Sequence, residues 1–227
     1  MDKFWEFRQD AKKQDTLELY VYSTVERDGW WETETSAKHF RDELAKHPNA
    51  KEIKVYINSL GGSVMEGIAI YNQLKRHPAH VTVQIDGFAC SIASVIAMAG
   101  DTVIMPKNAV MMVHNAWSYA IGNAAQLRKA ADDLEVVNNA SKQAYLEKAG
   151  GKLTGEKLTE LLDAETYLSA EQCMELGLID SFGDDDADGD TGADPEQLTG
   201  MTVQQRLEQE LMQRREKAVA ALNKYFG

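Results

Sequence analysis

The chain has 227 residues, enough for one domain with a buried core plus appendages, and a formal net charge of −12. Seven carboxylates fall between positions 183 and 196 with no Lys or Arg among them, so the rest carries only the remaining −5. An acidic balance without a basic stripe argues against nucleic acid or an anionic membrane as a partner.

Met1–Glu6 has mixed charge and no apolar run, so no signal peptide is expected there. A strand is predicted over Leu17–Tyr22, then a helix from Thr35 to Ala45 with Ala37, Phe40, Leu44 and Ala45 at helical spacing, ending before Pro48. Ile53–Ile57 reads as a second strand. It is followed by Gly61-Gly62 and a helix presenting Val64, Ile68, Tyr71 and Leu74. A third strand is expected at Val81–Ile85, a helix at Ser91–Ala99, and short strands at Thr102–Met105 and Ala109–Val113. The run Phe88–Gly100 is too short to span a membrane.

Strands alternating with helices at this spacing imply crossover connections and a largely parallel sheet covered by helices. A long helix follows over Asn123–Ala149, with Leu127, Ala130, Leu134, Val137 and Tyr145 as its expected buried stripe, stopped by Gly150-Gly151. Shorter helices are expected near Glu156–Leu162 and Ala170–Leu176. The chain thus divides into an N-terminal segment (1–16), a main domain (17–182), an acidic flexible linker (183–199) and an amphipathic C-terminal helix (200–227). Isolated helices are marginal in water, so the last one is expected to pack on a partner chain or belong to a removed or larger segment, the alternative being a frayed tail.

Cys90 and Cys173 belong to no CxxC or Cys/His cluster, so a disulfide framework or a metal site is not expected, and a cytoplasmic setting is. Ser91 sits among small residues at a helix start, His114 ends an apolar strand, and Gly61-Gly62 follows another. Singly, these read as an N-cap, a structural histidine and a turn; no Lys follows the glycines as a phosphate loop requires.

Together they resemble the ClpP-type serine peptidases. The likeness lies in Tyr56–Ser63, Gly67–Tyr71, Gly87–Ser91, Met111–His114 and Tyr167–Ala170 leading to Gly177–Asp180. Trp30-Trp31, Ser94–Gly100 and Glu165–Tyr167 are similar to the ClpP-related prohead proteases of tailed bacteriophages. The resemblance implies an α/β fold of the ClpP/crotonase kind, built of repeated β-β-α and βαβ units with a protruding long helix. It implies Ser91 as nucleophile, His114 as general base, and Gly62 and Ile92 as amide donors to an oxyanion, with Gly61 beside them. An aspartate is usual two residues before the aromatic of the aromatic-Leu-Ser-Ala run; here that position holds Glu165, with Asp163 as the alternative. Leu60 stands where proline is usual, and Ser94 and Cys90 are competing nucleophiles.

No metal or organic cofactor is implied. The implied partners are further copies of the chain in a ring, polypeptide substrates such as capsid or scaffold proteins, and an open question of a separate ATPase. The implied setting is a bacterial host's cytoplasm or the procapsid. Two rivals remain at this point: an acyl-CoA enzyme of the crotonase kind, and a catalytically silent assembly protein.

Overall fold

A computed structural model describes residues 4–10, 13, 15–25 and 36–183. The expected linker from 184 on, the C-terminal helix and Trp30-Trp31 lie outside the described residues. By internal packing the chain divides into two compact units, Met1–Ser118 with Gly122–Asp185, and Tyr119–Ile121 with Asp186–Gly227. All helices and strands of the described residues belong to the first.

Its sheet has the order β1-β2-β3-β4-β6-β7, with β5 also paired to β4. The strands are β1 (Trp5–Gln9), β2 (Thr16–Tyr22), β3 (Glu52–Ser59), β4 (His80–Cys90), β5 (Thr102–Ile104), β6 (Val110–Val113) and β7 (Thr166–Leu168). β2 through β6 pair in parallel, while β1 and β7 add on antiparallel at the two ends. The helices are α1 (Ala37–Leu44), α2 (Val64–Arg76), α3 (Ile92–Ala97), α4 (Ala124–Ala149), α5 (Gly155–Asp163) and α6 (Ala170–Glu175). No helix among the described residues is long and apolar enough to cross a membrane.

β3 shows why the sheet has two unlike faces. Ile53, Val55 and Ile57 point inward and are fully buried together with Leu19, Val21, Val83, Ile85, Phe40 and Ile70. Burying each such side chain contributes about 1.5–3 kcal/mol. Tyr56 points the other way, where it stacks on Tyr20 at 4.8 Å and stays half-buried. The largely parallel, helix-covered sheet that was expected is present, and this alternation is the pattern of a sheet with one packed and one wetter face.

β4 runs far beyond the predicted Val81–Ile85, through Asp86 and Gly87 to Cys90. Its first half pairs with β5 and its second with β6, so one strand carries the chain to the residue before Ser91. Its register with β3 shifts between Ile57 and Ser59, and the Asn58 side chain fills the gap by accepting from the Phe88 N–H at 3.2 Å.

α4 also differs from expectation. It starts at an Asn123–Gln126 capping box and ends at Gly150 in the left-handed region. Of the expected stripe only Tyr145 is fully buried, with Ala144 and Ala149; Leu127 is exposed and Ala130, Leu134 and Val137 are partly so. The helix is about 39 Å long at 1.5 Å per residue, and only its last turns are packed into the domain. Lys148 anchors that end: its Nζ donates to the carbonyls of Gly100 and Asp101 and to Asp180 Oδ2 at 3.0, 3.1 and 2.6 Å.

Candidate active site

Ser91 is the cap residue of α3, but its hydroxyl makes no capping bond. Its backbone has φ 56° and ψ −129°, a region that costs a non-glycine residue about 1–3 kcal/mol. That turn lifts the side chain out of the strand-to-helix corner. The Oγ lies 2.7 Å from His114 Nε2. His114 follows directly on β6, whose pairing with the end of β4 sets Cys90 beside Met112. The Ser91 N–H donates to the Met112 carbonyl at 2.8 Å, so the two side chains are held by adjacent, hydrogen-bonded strand ends.

The glycine pair closes over this corner. A Cβ on Gly61 would stand 2.6 Å from Ser91 Cβ, 2.7 Å from the Cys90 carbonyl and 3.2 Å from the Ile92 nitrogen. Only a residue without a side chain allows that approach, and its φ of 94° is itself a glycine conformation. Gly62 forms a parallel bridge to Val25, in which the Gly61 carbonyl accepts from Val25 and the Ser63 N–H donates to it. The Gly62 N–H is no part of that bridge. Ile92 begins α3, whose first amides carry the partial positive charge of a helix N-terminus.

The two carboxylate candidates are placed differently. Asp163, the last residue of α5, accepts from Asn115 Nδ2 at 2.7 Å. Glu165 precedes β7, which pairs antiparallel with β6 as Met111 with Leu168, Met112 with Tyr167 and Val113 with Thr166. That ladder ends at Val113 with Thr166; Glu165, in the left-handed region at φ 49°, stands one residue beyond it on one side and His114 one residue beyond it on the other. Both carboxylates lie on the exposed side of the domain.

Ser94 is fully buried, with its hydroxyl 2.6 Å from both the Ser91 carbonyl and the Tyr145 hydroxyl, which removes it from competition as a nucleophile. Cys90 is buried too, and burial pushes the Cys173 thiol up to about 12. Sequence reasoning missed Asn115 and Asn138. The latter's Oδ1 accepts the Ala116 N–H at 2.7 Å and ties the segment after His114 to α4. No local signal marks either, since their partners are 48 and 22 residues away. Among the described residues, no group of three or more His, Cys, Asp or Glu could hold a metal ion.

A model of the Clp protease family matches residues 33–186, a span that contains Gly61-Gly62, Ser91, His114 and Glu165. The chain belongs to the Clp protease family. A curated relative, an ATP-dependent Clp protease proteolytic subunit from Chara vulgaris, is 29% identical over 140 residues, which is 60% of this chain and 63% of that protein. This Clp protease-family chain therefore shares somewhat under two thirds of that relative's length. The mixed sheet with its crossover helices agrees with the ClpP fold that the motifs implied.

Proposed function

We propose that the chain is a serine endopeptidase that works through an acyl-enzyme on Ser91. The observation that carries this reading is the 2.7 Å approach of Ser91 Oγ to His114 Nε2. A serine hydroxyl is a weak nucleophile at neutral pH, and an imidazole in hydrogen-bond contact is the base that activates it. As Oγ attacks a peptide carbonyl, its proton passes to Nε2, and the carbonyl oxygen takes up the negative charge. The amides of Gly62 and Ile92 receive that charge, each such donor contributing about 3–4 kcal/mol to the transition state. His114 then hands the proton to the leaving amine. Water, deprotonated by the same imidazole, cleaves the ester and frees Ser91.

His114 accepts at Nε2 only when its proton sits on Nδ1, and a carboxylate on that side favours the tautomer. Glu165 takes this role in our reading, because it lies one residue beyond the end of the β6–β7 ladder, as His114 does, while Asp163 is engaged by Asn115. An acyl-CoA enzyme of the crotonase kind has no need of the serine–imidazole pair. A silent assembly protein has no need of the strained turn that aims it.

The peptide substrate adds as a strand between Gly61-Gly62 and the segment after His114. The likeness of Ser94–Gly100 and Glu165–Tyr167 to phage prohead proteases supports capsid or scaffold proteins as the natural substrates, cleaved during head maturation. The exposed length of α4, with Leu127 and Val136 open, supports a ring-type homo-oligomer, and the Chara relative's name supports a separate ATPase partner. The test is labelling by a fluorophosphonate probe, followed by mapping of the modified residue. Ser91 is expected to carry the label, and Ser91→Ala to abolish both labelling and processing of a co-expressed capsid protein. Processing that continues unchanged in Ser91→Ala rules the reading out.

A further inference from the structure

Ser94 and Tyr145 are both fully buried, on α3 and α4, and their hydroxyl oxygens are 2.6 Å apart. Ser94 Oγ is also 2.6 Å from the Ser91 carbonyl and 3.3 Å from that of Met112. A serine hydroxyl has one proton and two lone pairs, whereas a carbonyl can only accept. The Ser94 proton therefore goes to the carbonyls, chiefly the nearer one, and Tyr145 donates into Ser94. Burial holds the Tyr145 phenol well above its ordinary pKa, so its proton is always present to give. The direction is fixed: Tyr145 hydroxyl to Ser94 hydroxyl to Ser91 carbonyl.

That carbonyl belongs to the strained residue. On its other side the Ser91 N–H is held by Met112, and the Ser94 N–H adds a second bond to the Ser91 carbonyl at 3.0 Å. A positive-φ serine persists only where its surroundings over-determine it. Here the bonds grip both peptide groups of Ser91, and one of them reaches β6 two residues before His114. Folding alone does not call for the two hydroxyls, because replacing both members of a buried pair by apolar groups of similar shape is close to neutral.

We infer that Ser94 and Tyr145 are positioning residues: a two-hydroxyl relay that fixes the Ser91 carbonyl and thereby keeps Ser91 Oγ aimed at His114 Nε2. The inference rests on the reading of Ser91 as nucleophile.

The test uses the full chain and three variants, Ser94→Ala, Tyr145→Phe and the double. It reads the rate of fluorophosphonate labelling at Ser91, kcat and KM on a peptide, and the urea midpoint. Ser94→Ala is expected to lower labelling and kcat by about 10- to 100-fold, the scale of a small misplacement, with KM little changed. Tyr145→Phe does less, since Ser94 keeps its bond to Ser91. Ser94→Ala strands the buried Tyr145 hydroxyl and lowers the midpoint, and Tyr145→Phe, which only removes a donor to Ser94, lowers it less. The double variant recovers the midpoint but stays as slow as Ser94→Ala. A rate that recovers with stability, or Ser94→Ala labelled at the parent rate, overturns the inference. A parent chain that takes no label at Ser91 in any assembly state instead overturns the peptidase reading, and this one with it.

Discussion

Ser91 and Glu165 share one backbone trait, a positive φ on a residue that is not glycine, at 56° and 49°, and their surroundings are opposites. Ser91 is walled by Gly61, gripped through both of its peptide groups, and backed by the buried Ser94–Tyr145 pair. Glu165 sits in an exposed corner between α5 and β7, where its N–H bonds to the Leu162 carbonyl at 3.2 Å. In the first case tertiary packing holds the strain, and in the second a local turn at a helix end does. Under the proposed roles, the nucleophile is held rigidly and the carboxylate arm left adaptable, because orienting an imidazole tolerates more slack than an in-line attack.

Gly61→Ala breaks the rigid side most directly. The new methyl would overlap Ser91 Cβ and the Cys90 carbonyl in a backbone conformation that alanine avoids. Labelling of Ser91 is expected to fall by about 100- to 1,000-fold, comparable to the loss of an oxyanion donor. An unchanged labelling rate would mean that the corner is not packed as described.

Glu165→Gln and Asp163→Asn sharpen the other side. The first removes the charge of the carboxylate proposed to orient His114 and is expected to lower kcat by about 100-fold. That is less than the roughly 10⁴-fold effect of neutralising a buried triad aspartate, because water screens this exposed position. The second keeps an acceptor for Asn115 and is expected to change kcat by less than about threefold. The reverse ranking of the two kcat values would give the role to Asp163.

The same contrast decides what was legible in the sequence. Singly, Gly61-Gly62, Ser91 and His114 read as ordinary turn, cap and core residues; they stood out through the resemblance of their flanking motifs to the ClpP-type peptidases, and only the glycines are demanded by backbone geometry. The strands β2 and β3 followed from apolar density and alternation, whereas α2 buries Gly67, Ile70 and Leu74, so of the expected face of Val64, Ile68, Tyr71 and Leu74 only Leu74 is fully buried. β1, in a stretch where the sequence suggested no element, and β7, of three residues, were not foreseen, since strands that short and that polar leave no pattern of their own. β4 was expected only as far as Ile85, and Asp86 and Gly87 carry no strand signal of their own. The strand continues through them, since the Asn58 side chain stands in for the missing ladder bond. Ser94 looked like a competing nucleophile because its partner Tyr145 is 51 residues away. The apolar stripe expected on α4 has helical spacing, but of its residues only Tyr145 is buried, because spacing alone does not say which turns of a long helix pack on the domain.

Lys148→Met tests how firmly the packed end of α4, which presents Tyr145, is fastened. The side chain is 8% exposed, and its ammonium joins α4 to the Gly100–Asp101 turn and to Asp180. Methionine keeps the length and removes three donated bonds. The urea-unfolding free energy is expected to drop by about 2–3 kcal/mol, with Ser91 labelling of the folded fraction largely kept. A drop in labelling as large as that of Ser94→Ala would mean that general loosening of α4, rather than the hydroxyl relay, governs Ser91.

Asp86→Asn carries the smallest expected effect and probes the wetter face of the same strand that leads to Ser91. Burial raises the Asp86 carboxyl above its ordinary value, and the hydrogen bond from the Tyr22 hydroxyl only partly offsets this. The folded state therefore binds the Asp86 proton more tightly than the unfolded chain does. The stability this gives is fully present below the ordinary aspartate pKa and is lost as the pH rises through the folded value. Asparagine keeps an acceptor for Tyr22 and cannot titrate. Relative to the parent, the variant should gain in urea midpoint as the pH rises from about 4 towards neutral, and level off once the folded carboxyl is ionised. Labelling of Ser91 should be unaffected throughout, because β4 reaches the site through its helix-covered side. A midpoint difference that does not vary over that range would show that Asp86 is ionised as easily in the folded protein as in water.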